Sequence, residues 1–312
     1  MLKRRDFLKE LGSSGIAFGL VACSKYPEPE PVMKEDKNQI VVPELMENAT
    51  VIRASKLAEP EAPMVRTAVP SKETQNLKRV RNFNQNFEDD LYLEPSKIKL
   101  LKSSEKKLSR VKEYIGYGHF NLLSFDEMIA FSKRYSKLQA FTPAELDFLD
   151  EVFHFNAQIY GFWGNKVLDK MTAKIDSRDV AKVPRTGHFV FKGEAQILYE
   201  KIRKEIGPSI VLTSGVRGIV KQLQLFLAKS LRVGANMSRA SRSLAPPGHS
   251  YHGVGDFDVG KVGLGASNFT SQFAQTDEYR RLTDSGYIKI RYTRDNPYGV
   301  RYEPWHIKVV KS

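Results

Sequence analysis

The chain has 312 residues, with 49 Lys+Arg against 36 Asp+Glu, a formal net charge of +13, six His and one Cys. A hydrophobic share of 41% suffices to bury a core over part of that length, whereas one cysteine excludes a disulfide framework and any multi-cysteine zinc or iron–sulfur site within one chain. The basic excess points to an anionic partner (nucleic acid, a lipid surface or an acidic polymer), and no apolar run is long enough for a mature transmembrane helix.

In chain order, the first segment is Met-Leu-Lys-Arg-Arg-Asp-Phe-Leu-Lys followed by the weakly apolar stretch 12–22, a basic and then apolar pattern expected of an export signal. Arg4-Arg5 before Phe7-Leu8-Lys9 resembles the twin-arginine export motif. Leu20-Val21-Ala22-Cys23 resembles a bacterial lipobox, which implies cleavage before Cys23 and a lipid on its thiol. Residues 1–23 are therefore expected to be a signal peptide with its lipobox, the lipid on Cys23 holding the mature chain to a membrane. Ser24, where an inner-membrane lipoprotein would carry Asp, favours the outer membrane of a Gram-negative bacterium, facing the periplasm. Residues 24–95 are rich in Pro, Glu, Lys and Asn, with Pro-Glu-Pro-Glu-Pro at 27–31, and are expected to be a disordered tether.

Residues 96–206 read as helical. Ser124-Phe-Asp-Glu127 and Thr142-Pro-Ala-Glu145 have the form of capping boxes, the second with Pro143 at the first helical position. Apolar stripes follow at helical spacing, with Met128, Ile129, Phe131 and Tyr135 in one and Leu146, Leu149, Val152 and Phe153 in the other. His154 is expected to be a packing residue, and Tyr160, Phe162 and Trp163 to be core aromatics. A helix over 194–206 ends at Gly207-Pro208, and Ile210-Val-Leu-Thr213 is a short buried strand leading into Ser214-Gly215.

The last third concentrates the chemistry. His249, His252 and His306 fall there, Asp256 and Asp258 sit in a glycine-rich run, and Glu303-Pro-Trp-His306 stands near the end. A catalytic zinc takes three N/O ligands and keeps a fourth position open, so two imidazoles and a carboxylate suffice and leave Glu303 as a base. Strand alternation puts Asp256 and Asp258 on one side.

These segments resemble the VanY-type zinc D-alanyl-D-alanine carboxypeptidases. The family's hallmarks are matched by Ser214-Gly215-Val216-Arg217 with Gln222, by Ser250-Tyr-His252-Gly-Val-Gly255-Asp256-Phe-Asp258, and by Tyr302-Glu303-Pro304-Trp305-His306. The resemblance implies an α+β fold, a small antiparallel sheet with helices in the hedgehog/D,D-peptidase style, over 207–312 or from near 187. It also implies one Zn²⁺ per chain on His252, Asp258 and His306, with Glu303 as base. Arg217 would stabilise an oxyanion or grip a carboxylate, Ser250 and Gln222 would bind substrate, and Trp305 would wall the site.

The family places Asp seven positions after its metal His, where this chain has Val259. His252 with Asp258 keeps the surrounding motif, whereas His249 with Asp256 restores the family's spacing; the first pair is preferred and the second kept as the alternative metal pair. The function implied is trimming of peptidoglycan stem peptides by D,D-carboxypeptidase action. L,D-carboxypeptidase or endopeptidase action on the same site, or non-catalytic wall binding, stand as alternatives. No nucleic-acid partner is expected, because no basic helix or aromatic–basic repeat accompanies the charge.

Overall fold

The computed structural model describes residues 72–310; the signal-like segment, Cys23 and the proline-rich stretch that follows it lie outside the described residues. In chain order the described elements are α1 (Lys72–Arg81), α2 (Ile98–Ile115), α3 (Tyr117–Phe120), α4 (Phe125–Arg134) and α5 (Pro143–His154), then strands β1 (Val180–Val183) and β2 (His188–Phe191). They continue with α6 (Glu194–Ile206), β3 (Ile210–Ser214), α7 (Ile219–Arg232), α8 (Met237–Ser241), β4 (Phe257–Lys261), α9 (Asp277–Asp284) and β5 (His306–Ile307). None of these helices is long and apolar enough to cross a membrane.

Both capping boxes form. Ser124 Oγ accepts from Glu127 N while Ser124 N donates to the Glu127 carboxylate at 3.0 Å, and Thr142 N donates to Glu145 Oε2 at 2.8 Å. Each satisfies helix-end donors that would otherwise lack partners. The stripes behind them enter a helical core in which Leu101 and Leu108 of α2, Met128 of α4 and Leu149 and Phe153 of α5 surround Leu223, Phe226 and Leu227 of α7.

A second core lies under the sheet. β3, β4 and β5 form an antiparallel sheet with β4 in the centre, and Tyr199 and Ile202 of α6 with Leu282 of α9 pack against Leu212, Phe257 and Ile307. β1 and β2 make a separate hairpin that leans on the end of β3, where Val216 N donates to Phe189 O at 2.8 Å. Gly215 is required at this crossing: a Cβ there would stand 1.9 Å from Phe189 O.

Four expectations are corrected here. The tether does not run to residue 95: Val80 is buried, and Asp90 pairs with Arg242 at 2.6 and 2.9 Å and accepts from Asn236 at 2.8 Å. This anchor joins residues far apart in sequence, so no local pattern announces it. Of the two starts expected for the sheet-bearing part, the one at 206/207 cuts through a packed unit, because α6, β1 and β2 serve the sheet side while α7 fills the helical core. Trp163 is 49% exposed rather than core, although Tyr160 and Phe162 are buried. His154 is likewise largely exposed, with Nε2 3.5 Å from Asp150 on the same helix.

Candidate metal centre

β4 carries the centre of the site. Its register sets Asp258 opposite Ser214 of β3 on one side and His306 of β5 on the other, so three functional positions share one row across the sheet. His252 enters from a 3₁₀ turn over Tyr251–Gly253, closed by Gly253 N to Ser250 O at 3.1 Å and Asp256 N to Tyr251 O at 3.1 Å. Gly255 has φ +139°, which side-chain-bearing residues rarely adopt. This tight turn brings Asp258 to the His252 ring despite the shorter spacing between them.

His252 Nε2, Asp258 Oδ1 and His306 Nδ1 converge, with all three atoms within 4.8 Å of one another. Asp258 Oδ1 lies 3.2 Å from His252 Nε2 and 3.3 Å from His306 Nδ1, and the two imidazole centroids are 4.8 Å apart. All three side chains are buried, and His252 Nε2 and Asp258 Oδ1 have no hydrogen-bond partner among the described residues. Buried polar atoms left without partners at one point are costly to a fold, and a cation between them removes that cost.

The atoms facing away from this point are each tied down. His252 Nδ1 meets Gly215 O at 2.8 Å, which makes Nδ1 the protonated nitrogen and leaves the Nε2 lone pair free. His306 Nε2 meets Asp256 Oδ2 at 2.9 Å, leaving Nδ1 as the inward nitrogen. Asp256 also accepts both Arg291 Nε and, at 3.0 Å, Arg291 Nη2, and takes Val309 N at 2.9 Å. The second oxygen of Asp258 is held by Arg217 Nη2 at 2.8 Å, while Arg217 Nε donates to Ser214 Oγ at 2.9 Å.

The local field favours a cation. Burial alone would raise the Asp258 carboxyl, but His252, Arg217 and His306 outweigh it and hold the group well below the usual carboxylate range. Burial and Arg217 keep His252 neutral by lowering its pKa. For His306 burial opposes charge, yet the acidic oxygens of Asp256, Glu303 and Asp258 push its pKa up to about 9. The same acidic oxygens that favour a proton on His306 favour a divalent ion at this point.

Glu303 Oε2 stands 3.6 Å from His306 Nδ1, and Glu303 Oε1 is 3.6 Å from Arg301 Nε. Glu303 thus stands beside the cluster and lines the cleft. This cleft encloses about 150 Å³ and is walled by Arg217, Gln222, Ser250, Tyr292, Arg301 and Trp305 around the cluster. Gln222 anchors its Nε2 on Ala245 O at 2.6 Å and leaves its buried Oε1 without a partner among the described residues.

The alternative metal pair is not assembled. His249 points to Gly164 O at 3.1 Å and packs its ring on Phe162, contributing no atom to the cluster, and Asp256 is spent on Arg291, His306 and Val309. Arg291 and Arg301 were not singled out by sequence reasoning. Arg301 lines the cleft with Glu303 and Trp305, but a turn closed by His306 N to Glu303 O at 3.1 Å separates the last two, so no strand alternation announces it. Arg291 stands in the run Ile290-Arg291-Tyr292, which resembles the family's order of elements, but its pairing with Asp256 is tertiary and no local pattern announces it.

No curated protein sequence matches the chain at a significant level. Among solved structures the chain is similar to a variant of the vancomycin resistance D,D-pentapeptidase VanY in complex with Zn(II), at 21% identity, covering 42% of this chain and 78% of that one with a TM-score of 0.33. It is also similar to the LdcB LD-carboxypeptidase, at 22% identity with 44% and 70% covered and a TM-score of 0.36. A third is VanYB in complex with D-alanine-D-alanine, at 20% identity with 47% and 86% covered and a TM-score of 0.34. Residues 192–312, which hold every member of the buried cluster together with Glu303 and Arg217, match the model of the VanY family of D-alanyl-D-alanine carboxypeptidases.

Proposed function

We propose that the chain is a zinc peptidase acting on peptidoglycan stem peptides, foremost as a D-alanyl-D-alanine carboxypeptidase. The observation that carries this reading is the convergence of two unpartnered buried atoms, His252 Nε2 and Asp258 Oδ1, with His306 Nδ1 beside Glu303, inside the segment that matches the VanY family. Two neutral imidazole nitrogens and a carboxylate are the ligand chemistry of catalytic zinc. When bound there, Zn²⁺ supplies Lewis acidity that activates water and polarises a carbonyl.

The remaining chemistry belongs to the chain. Glu303 Oε2 takes the proton of the attacking water and returns it to the amine that leaves. Arg217, fixed on Asp258 and Ser214, both positions that ligand and lines the cleft as a positive group where carbonyl charge develops. Asp256 holds His306 in the required tautomer and is itself held by Arg291. Ser250 and the unpartnered Gln222 Oε1 are polar groups for the peptide backbone or its terminus, and Trp305 forms a wall.

We further propose that the chain is exported, lipidated at Cys23 and held at the outer membrane facing the periplasm. Cys23→Ala should move it to the soluble periplasmic fraction or stall its processing, and unaltered membrane attachment contradicts lipidation. The catalytic reading is tested by incubating purified protein with defined stem peptides, with and without a chelator, and reading products by mass spectrometry. Loss of one C-terminal D-Ala, abolished by chelator and by Glu303→Gln, is the expected outcome. Cleavage that persists in Glu303→Gln removes Glu303 from the role of base.

A further inference from the structure

A second, larger recess opens beside the catalytic cleft. It encloses about 650 Å³ against about 150 Å³ for the cleft, and the two share Arg301 and Trp305 in their walls. One side is built by the end of α1, with Arg81, and the segment after it, with Phe83, and the other by Arg294, Arg301, Tyr302 and Trp305. Arg81 and Phe83 precede residues 192–312, so this wall is an addition to the part that matches the family model.

The wall is fixed rather than draped. Arg242 Nη2 donates to Gln85 O at 2.7 Å, and the buried Asp90–Arg242 pair and Met237 N to Leu91 O at 2.8 Å pin the following residues to α8 and its flank. Phe83 lies under the Arg301 guanidinium at 4.9 Å, and Trp305 lies under the same group at 4.9 Å. Arg301 thus packs on two rings at the wall shared by cleft and recess, with its Nη2 donating to Phe269 O at 3.1 Å.

The lining charge is positive. Three arginines face one acid, Asp295, which pairs with Arg81 at 2.8 Å. Arg294 stacks over Tyr302 at 4.4 Å and pairs with no carboxylate among the described residues. Arg301 Nε has no hydrogen-bond partner among the described residues, its nearest acid being Glu303 at 3.6 Å.

We infer that this recess is a subsite for the upstream part of an acidic peptide, whose free carboxylate is gripped between Arg294 and Arg301 while its C-terminal residues occupy the cleft. The inference rests on the peptidase reading of the cleft. A cleft of that volume holds little more than the residues at the cleaved bond, and the shared wall of Arg301 and Trp305 gives the rest of the peptide a way into the recess. Guanidinium groups already stacked on aromatic rings lose little freedom on meeting a carboxylate, which favours this use.

The test uses the full zinc-loaded chain and two synthetic stem peptides with the same D-Ala-D-Ala end, one with a free internal glutamyl carboxylate and one with that carboxylate amidated. The acidic peptide should show a KM about tenfold lower at equal kcat, the scale of one charge-assisted hydrogen bond. Arg294→Gln should raise the KM of the acidic peptide about tenfold, leave the amidated peptide and both kcat values unchanged, and be partly rescued by Arg294→Lys. Equal KM values in the wild type, or an undiminished preference in Arg294→Gln, overturn the inference. Calorimetric titration of Glu303→Gln protein with the same peptides separates the two readings. Tighter binding of the acidic peptide, lost with Arg294→Gln, supports the subsite even if neither peptide is cleaved; equal binding overturns it even if both are.

Discussion

Asp256→Asn isolates the support beneath the metal centre. The wild-type carboxylate serves four donors: Arg291 Nε and Nη2, His306 Nε2 and Val309 N. An asparagine fits the space but has one acceptor oxygen, and its NH₂ meets donors where the second oxygen stood. Arg291, whose side chain is 7% exposed, then keeps its charge with half its partner gone. Removing one member of a buried ion pair costs about 3 kcal/mol or more, visible as a lower urea midpoint of the metal-free protein. His306 also loses the anion that holds its tautomer, and an outer-shell change of this kind weakens metal binding by about 10–100-fold. Competition against a chromophoric chelator measures that loss directly. A zinc affinity within about twofold of wild type in folded Asp256→Asn would refute the claim that Asp256 orients His306. Complete loss of zinc, equal to that of Asp258→Asn, would make Asp256 a ligand and refute the assignment from the other side.

Other substitutions test the frame and its charges. Asp90→Ala leaves Arg242 buried without its partner and should lower stability by about 3–5 kcal/mol, read by urea denaturation, with faster hydrogen exchange over 83–93. Lys221 is buried, and burial together with Arg217 lowers its pKa to about 7, with its ammonium 4.5 Å over the Tyr117 ring. The unfolded chain binds the Lys221 proton more tightly than the fold, so this group destabilises fully below pH 7 and its penalty fades as pH rises from about 7 towards its ordinary value of 10.5. Lys221→Met should therefore raise stability at and below pH 7 and flatten the rise above it; an unchanged stability–pH curve contradicts a buried, disfavoured ammonium. Ser124→Ala and Thr142→Ala should each cost about 1 kcal/mol through loss of the cap, measured by the same unfolding assay.

Legibility in the sequence followed the range of the forces involved. The capping boxes, the helix Glu194–Ile206 and the strand opening at Ile210 were readable because each is decided within a few residues. The ligand types were readable because their chemistry is local to the side chain, whereas the choice between His252 and His249 turned on a glycine turn whose geometry no spacing rule supplies. The segment 80–93 read as tether because its apolar residues are scattered and its anchor, Asp90–Arg242, spans most of the described chain. β5 has two residues, too few for any periodicity, yet its pairing with β4 is what delivers His306 to Asp258. Trp163 reads as core by composition, but it is largely exposed, in a loop where its backbone N–H donates to Tyr298 O at 2.9 Å.

The position of a single zinc ion tests the metal centre most directly. Diffraction from zinc-loaded crystals at the zinc absorption edge should give a single strong anomalous peak bonded to His252 Nε2, Asp258 Oδ1 and His306 Nδ1, with Glu303 beside it and unbound. A peak on His249 or Asp256, or zinc held elsewhere with these three atoms unliganded, would contradict it.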